Sequence, residues 1–106
     1  MANIYGIANE LTKKFIKSQN KKYALNKIIY DLNYLVYSDT KEPLEYKAKA
    51  SIINYMFEVI AGRKALILAD NEQLTPDFSD IVCFFERRSF ILKHLKAGVL
   101  SQQELN

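Results

Sequence analysis

The chain has 106 residues, enough for one domain with a single hydrophobic core and too few for two such domains. Hydrophobic residues make up 49% of the sequence, which is typical of a globular protein, and the net charge of +3 neither requires nor excludes an acidic partner. A single cysteine excludes an internal disulfide and is consistent with a reducing compartment.

The sequence carries no recognisable targeting or membrane-spanning segment. Residues 1–14 lack the charged start and the uninterrupted apolar core of a secretory signal. The apolar runs at 52–57 and 81–85 are each followed by a glutamate, and neither approaches the roughly 18 apolar residues that a membrane span needs. We therefore expect a soluble, cytoplasmic protein.

The first predicted helix spans about residues 3–18. Its apolar side chains recur at spacings of three and four residues, which places them on one helical face. They are Ile4, Ile7, Ala8, Leu11 and Phe15. The polar stretch 18–20 is short enough for a tight connection between two helices.

The second predicted helix, about residues 21–37, has apolar side chains on two sides. One stripe is aliphatic and consists of Leu25, Ile28, Ile29, Leu32, Leu35 and Val36. A second stripe lies roughly opposite and consists of Tyr23, Tyr30, Tyr34 and Tyr37. Two interpretations of the tyrosines stay open. Either they pack on adjacent helices with their hydroxyls at the surface, or they form an exposed aromatic recognition strip.

The third predicted helix spans about residues 43–69 and should be the most buried. Pro43 fits a first-turn position, and Glu45 behind it favours a helix start. Apolar residues, among them Ile52, Met56 and Ile60, cover more than half of its circumference. We expect Gly62 to bend this helix or to allow a close approach.

The fourth predicted helix spans about residues 76–97. Its start is marked by Thr75 as a cap, Pro76 at the first position and Asp77 in the first turn, and Gly98 is its expected left-handed cap. The predicted inward stripe consists of Phe78, Ile81, Val82, Phe85, Ser89 and Leu92. Phe84, Arg88, Ile91 and Leu95 lie about a quarter-turn to one side, and Phe90 lies nearly opposite the stripe.

Short connections between long helices favour antiparallel neighbours. The sequence therefore predicts an all-α fold, an antiparallel up-down four-helix bundle with a short C-terminal tail, in which residues 1–106 form one domain. The tail after Gly98 is expected to fray rather than to form a fifth helix.

Reactive chemistry is sparse along the chain. His94 has no second histidine or cysteine at ligand spacing, so we expect no metal site and no cofactor. Cys83 has no nearby base, and a small packed thiol is its default role. Since no nucleophile motif or phosphate-binding loop is present either, we expect no catalytic residues and no enzymatic activity.

A lysine cluster surrounds the first helix–helix connection and includes Lys13, Lys14, Lys17, Lys21, Lys22 and Lys27. It is either a solvated end of the bundle or a weak contact site for an anionic membrane surface, to which the first five of these residues would contribute. The connection lacks the glycine-containing turn of a DNA-recognition helix, so we expect no nucleic-acid partner.

The fourth helix has more apolar surface than a terminal helix of a small bundle readily buries. Its exposed and flanking positions combine arginine, phenylalanine and lysine, a composition that protein interfaces favour. We predict a partner-binding surface formed by Arg87, Arg88, Phe90, Lys93 and Lys96. The alternative is that Gly98 and the tail fold back over Phe90.

The stretches Pro43-Leu44-Glu45-Tyr46 and Ile52-Ile53-Asn54-Tyr55-Met56 resemble the long third helix of the small cytoplasmic immunity proteins of bacteria that make pediocin-like bacteriocins. Chain length, basic Lys/Asn/Ile/Tyr-rich composition and the four-helix plan are similar as well. The tail after Gly98 departs from that family, because it is short and has no aromatic residue.

The resemblance implies a protein that protects its producer from a pore-forming peptide. It would engage the bacteriocin-bound sugar-transporter receptor from the cytoplasmic side, in part at the membrane, with specificity in its C-terminal half. The alternative is a small homodimerising or regulatory interaction protein, followed by a nucleic-acid binder. We expect a monomer or a weak homodimer.

Overall fold

The computed structural model describes residues 4–64 and 74–98. These residues form four α-helices, which are α1 (Ile4–Lys17), α2 (Lys21–Tyr34), α3 (Tyr46–Ile60) and α4 (Phe78–Ala97). The described part of the chain has no β-strand, only an isolated bridge between Val36 and Pro43. The prediction of an all-α four-helix bundle is confirmed.

Contacts between helices define how the bundle is arranged. Helix α1 packs mainly on α3, and α2 packs mainly on α4. The pairs Asn26–Arg87 and Asn33–His94 are each separated by 61 residues, so α2 and α4 run parallel. The neighbouring helices α3 and α4 run antiparallel, because Arg88 meets Asn54 while Phe84 meets Phe57.

The core is built from apolar side chains of all four helices, and Phe84 of α4 lies at its centre. The Phe84 ring is 5.9 Å from that of Phe15 on α1 and 6.0 Å from that of Phe57 on α3. The fully buried large side chains also include Leu25, Ile29, Leu32, Ile52, Ile53, Met56, Ile60, Ile91 and Leu95. The inward faces predicted for the first three helices are therefore confirmed around these residues.

A loop between α2 and α3 replaces the ends predicted for both helices. Helix α2 ends at Tyr34 rather than near residue 37, and α3 begins at Tyr46 rather than near residue 43. Backbone bonds cross the loop from Tyr37 N to Glu42 O at 2.8 Å and from Leu44 N to Leu35 O at 3.3 Å. These N–H groups are satisfied across the loop, so the chain does not need helical bonds here.

Helix α3 ends at Ile60, well before the predicted residue 69. Gly62 adopts φ 81°, and Arg63 N donates to Glu58 O at 2.7 Å. This left-handed turn satisfies the last helical carbonyls, so Gly62 terminates the helix instead of bending it. Predicted helical residues 65–69 and the predicted tail 99–106 lie outside the described residues.

Helix α4 begins slightly later than predicted, with Asp77 rather than Thr75 as its cap. Asp80 N donates to Asp77 Oδ1 at 2.9 Å, and Asp77 N donates to Asp80 Oδ2 at 2.8 Å, which is a reciprocal capping box. Bonds from the Ser79 hydroxyl and from the Asp80 N–H lower the pKa of the Asp77 carboxyl. Gly98 caps the other end at φ 74°, as predicted.

Candidate functional site

The side of α4 that faces the core is not the side predicted from the sequence. Its buried apolar residues are Phe84, Ile91 and Leu95, which belong to the side expected about a quarter-turn away. Phe78 and Phe85 from the predicted inward stripe are instead 79% and 68% exposed. The correction follows from packing, because Phe84 inserts between the rings of α1 and α3 and sets the rotation of α4.

One side of α4 presents an aromatic face, defined here as exposed Phe78 and Phe85 with half-buried Val82 between them. These residues are spaced by four and three, so they share one side of the helix. The ring of Phe85 is 6.5 Å from that of half-buried Phe57, which continues the apolar surface onto α3. Large exposed aromatic rings of this kind are common anchors in protein interfaces.

A shallow groove of about 460 Å³ lies beside the α4 aromatic face, toward the start of α2. It is lined by Lys22, Phe78, Ser79, Val82, Cys83, Glu86 and Arg87. Burial raises the pKa of the Cys83 thiol, which disfavours the reactive thiolate. The expectation of a packed thiol agrees with its half-buried position against the core.

Two of the predicted partner-binding residues, Arg87 and Phe90, contact each other on the flank of α4, and Arg87 also contacts α2. Arg87 Nη2 donates to Asn26 Oδ1 at 2.6 Å, and the Arg87 guanidinium lies 4.4 Å from the centre of the Phe90 ring. Phe90 is half-buried, packs against the core and lies 4.2 Å from the His94 ring. The prediction that Phe90 lies opposite the core is therefore wrong, because its ring packs against the core from the flank of α4 that also carries Arg87 and His94.

Of the other predicted partner-binding residues, Arg88 contacts a neighbouring helix, and Lys93 and Lys96 lie at the surface. Arg88 Nη2 donates to Asn54 Oδ1 at 2.8 Å, and its guanidinium lies 5.5 Å from the Phe57 ring centre. This contact ties α4 to α3. Lys93 and Lys96 are exposed in the second half of α4, beyond the aromatic face. Both lysines thus remain candidates for contact with a partner.

The lysine cluster at the first connection is only partly a charged surface. Lys14, Lys17 and Lys22 are exposed, and Lys13 is half-buried. Lys21 differs, because its ammonium group donates to the carbonyl oxygens of Phe15 and Ile16 and pairs with buried Asp80. Lys21 therefore acts as a structural link between three helices.

The outer face of α2 carries an exposed surface, the α2 tyrosine strip, defined as Tyr23, Lys27, Tyr30 and Tyr34. Tyr34 is 70% exposed and Tyr23 is 44% exposed, while Tyr30 is half-buried. The rings of Tyr30 and Tyr34 are 4.7 Å apart, and Lys27 Nζ lies 4.9 Å from the Tyr30 ring centre. The exposure of Tyr23 and Tyr34 agrees with the second interpretation left open by the sequence, whereas Tyr37 is half-buried and packs against the core, as the first interpretation expects.

Sequence periodicity missed the exposure of Phe78 and Phe85. Helix α4 is apolar on two sides, so the number of apolar residues per side does not identify the core. Phe84, Ile91 and Leu95 share one side at spacings of seven and four residues, but Arg88 lies on the same side, so the sequence alone does not identify this stripe as the core.

Within residues 4–64 and 74–98, no three histidine, cysteine or acidic side chains come together as a metal-binding group. None of the described helices is both long and apolar enough to cross a bilayer. No family model, curated protein or solved structure matches the chain.

Proposed function

We propose that this protein is a bacteriocin immunity protein that protects its producer through protein–protein contact. In this proposal it works from the cytoplasm, in part at the membrane, and engages the bacteriocin-bound sugar-transporter receptor. The resemblance of residues 43–46 and 52–56 to that family suggests the biological role. The observation that carries the binding mode is the exposed aromatic face of α4.

The aromatic face has the chemistry of a binding anchor. Phe78 and Phe85 lie two helical turns apart, a rise of about 10 Å, so both rings can enter one apolar cleft of a partner. Burying such rings removes apolar surface from water at about 25 cal/mol per Å². Exposed Lys93 and Lys96 farther along α4 would add pairing with acidic or carbonyl groups at the rim.

Two features hold the aromatic face in place before a partner binds. The Asp77–Asp80 capping box fixes the first turn of α4. The bonds from Arg87 to Asn26 and from Arg88 to Asn54 fix its two flanks. A preorganised surface loses little conformational entropy on binding, so more of the contact energy contributes to affinity.

The binding mode is tested by co-purification from bacterial membranes that contain the sugar-transporter receptor. We expect the tagged protein to retain the transporter when the bacteriocin is present. Phe85→Ala should reduce retention by about 30-fold, which corresponds to an anchor of about 2 kcal/mol.

Tyr34→Ala is the matched control, because Tyr34 is exposed to a similar extent on another helix. Equal retention of the wild type with and without bacteriocin would contradict the proposed function. A loss with Tyr34→Ala but not with Phe85→Ala would place the contact on α2 instead.

A further inference from the structure

The α2 tyrosine strip has a spacing that reads the same in both directions. Tyr23, Lys27, Tyr30 and Tyr34 follow each other at intervals of four, three and four residues. This is the seam pattern of a coiled coil, in which successive side chains stay on one side of a helix. The midpoint of the pattern lies between Ile28 and Ile29.

From this symmetry we propose that the α2 tyrosine strip is a self-association surface, on which α2 of a second copy docks antiparallel about a two-fold axis. The axis would pass beside residues 28 and 29. Tyr23 then faces the second copy's Tyr34, and Lys27 faces the second copy's Tyr30. A two-fold interface requires this kind of self-complementary patch, because the same residues contribute from both copies.

The chemistry of the facing positions supports the antiparallel arrangement. Lys27 already lies over the Tyr30 ring within one copy, at 4.9 Å, so lysine and tyrosine are compatible neighbours on this surface. Lys27 Nζ also pairs with Asp31 Oδ1 at 3.1 Å. Lys27 and Asp31 carry opposite charges and lie along the same edge of α2. Each copy therefore brings both a positive and a negative group to the interface, rather than an excess of one sign.

The size of the strip sets the expected strength of the dimer. One helix pair buries less than the roughly 1,600 Å² of a standard stable complex. We therefore expect a weak dimer that forms at high concentration. The strip has no residue in common with the α4 aromatic face, so association through α2 leaves that face open, and the proposal does not depend on the proposed function.

Sedimentation of the full chain over micromolar to millimolar concentrations measures the association. We expect the average mass to rise toward that of a dimer, and Tyr34→Ser to raise the dissociation constant by about tenfold or more. Phe85→Ser is the matched control, because it removes a similarly exposed ring from α4 and should leave association unchanged. A monomer throughout this range, or equal weakening by both variants, would overturn the proposal.

Disulfide trapping tests the antiparallel register. In a Cys83→Ser background, Tyr23→Cys and Tyr34→Cys proteins are mixed under oxidising conditions, with Lys93→Cys on α4 as the control. We expect the mixed 23–34 disulfide to exceed both homodimeric disulfides, since only facing positions approach closely enough.

An excess of the two homodimeric disulfides would indicate a parallel contact and contradict the proposal. Cross-linking no faster than with Lys93→Cys would do the same. If the strip binds vesicles of anionic lipid while the protein stays monomeric in solution, its occupant is a membrane and the proposal fails.

Discussion

Lys21 Nζ at the start of α2 lies 2.9 Å from Asp80 Oδ1 in the first turn of α4. The Asp80 side chain is almost completely buried, and Lys21 also donates to the carbonyl oxygens of Phe15 and Ile16 at the end of α1. One lysine therefore joins the ends of three helices. Asp80 in turn belongs to the capping box of α4, so this pair links helix capping to the packing of the bundle.

Lys21→Met should lower the free energy of unfolding by about 3 kcal/mol, because it leaves the buried Asp80 carboxylate without its cation. Urea unfolding followed by circular dichroism measures the change. Lys22→Met is the matched control, since Lys22 is exposed, and it should change stability by less than about 0.5 kcal/mol. Equal effects of the two substitutions would show that the Lys21–Asp80 pair is not a structural link.

The corrected orientation of α4 predicts opposite results for two adjacent residues. Phe84→Ala should destabilise the protein by about 3–5 kcal/mol, because Phe84 fills the centre of the core. Phe85→Ala should cost less than about 0.5 kcal/mol, because its ring is mostly in solvent. Thermal and urea unfolding of the two variants decide the matter. A larger loss of stability with Phe85→Ala than with Phe84→Ala would mean that the inward stripe predicted from periodicity faces the core.

Phe90→Ala should destabilise the protein by about 1–2 kcal/mol, since its half-buried ring packs against the core and under the Arg87 guanidinium. The melting temperature should fall to a value between those of the Phe84 and Phe85 variants. A melting temperature equal to that of the wild type would mean that Phe90 lies at the surface, as the sequence had suggested.

Burial lowers the pKa of the Lys49 ammonium group from its usual 10.5, and Lys49 Nζ donates to Asn33 Oδ1 at 2.8 Å. Between the folded pKa and 10.5 the unfolded chain binds more protons, so stability should rise with pH in this alkaline window. Lys49→Met should remove that increase. The measurement is urea unfolding of both proteins at several pH values below 10.5. If the stability of the two proteins changed equally with pH, the lowered pKa of Lys49 in the folded protein would be contradicted.

Local patterns were sufficient for the faces of α1, α2 and α3. Phe15, Leu25 and Ile52 follow helical spacing, and each is fully buried. The loop between α2 and α3 was predicted too short, because its two ends are joined by backbone bonds, among them the one from Tyr37 to Glu42, which helix propensity does not report. The rotation of α4 was missed for a related reason, since it depends on rings of α1 and α3 that are distant in sequence.

Survival of a bacteriocin-sensitive strain that expresses the protein, measured against a panel of pediocin-like bacteriocins, tests the central claim most directly. We expect the wild type and Tyr34→Ala to protect against at least one bacteriocin. The Phe78→Ala/Phe85→Ala double variant should lose that protection while its melting temperature and cellular level stay unchanged. No protection by the wild type against any member of the panel would contradict the immunity function, and full protection by the double variant would contradict the role of the α4 aromatic face.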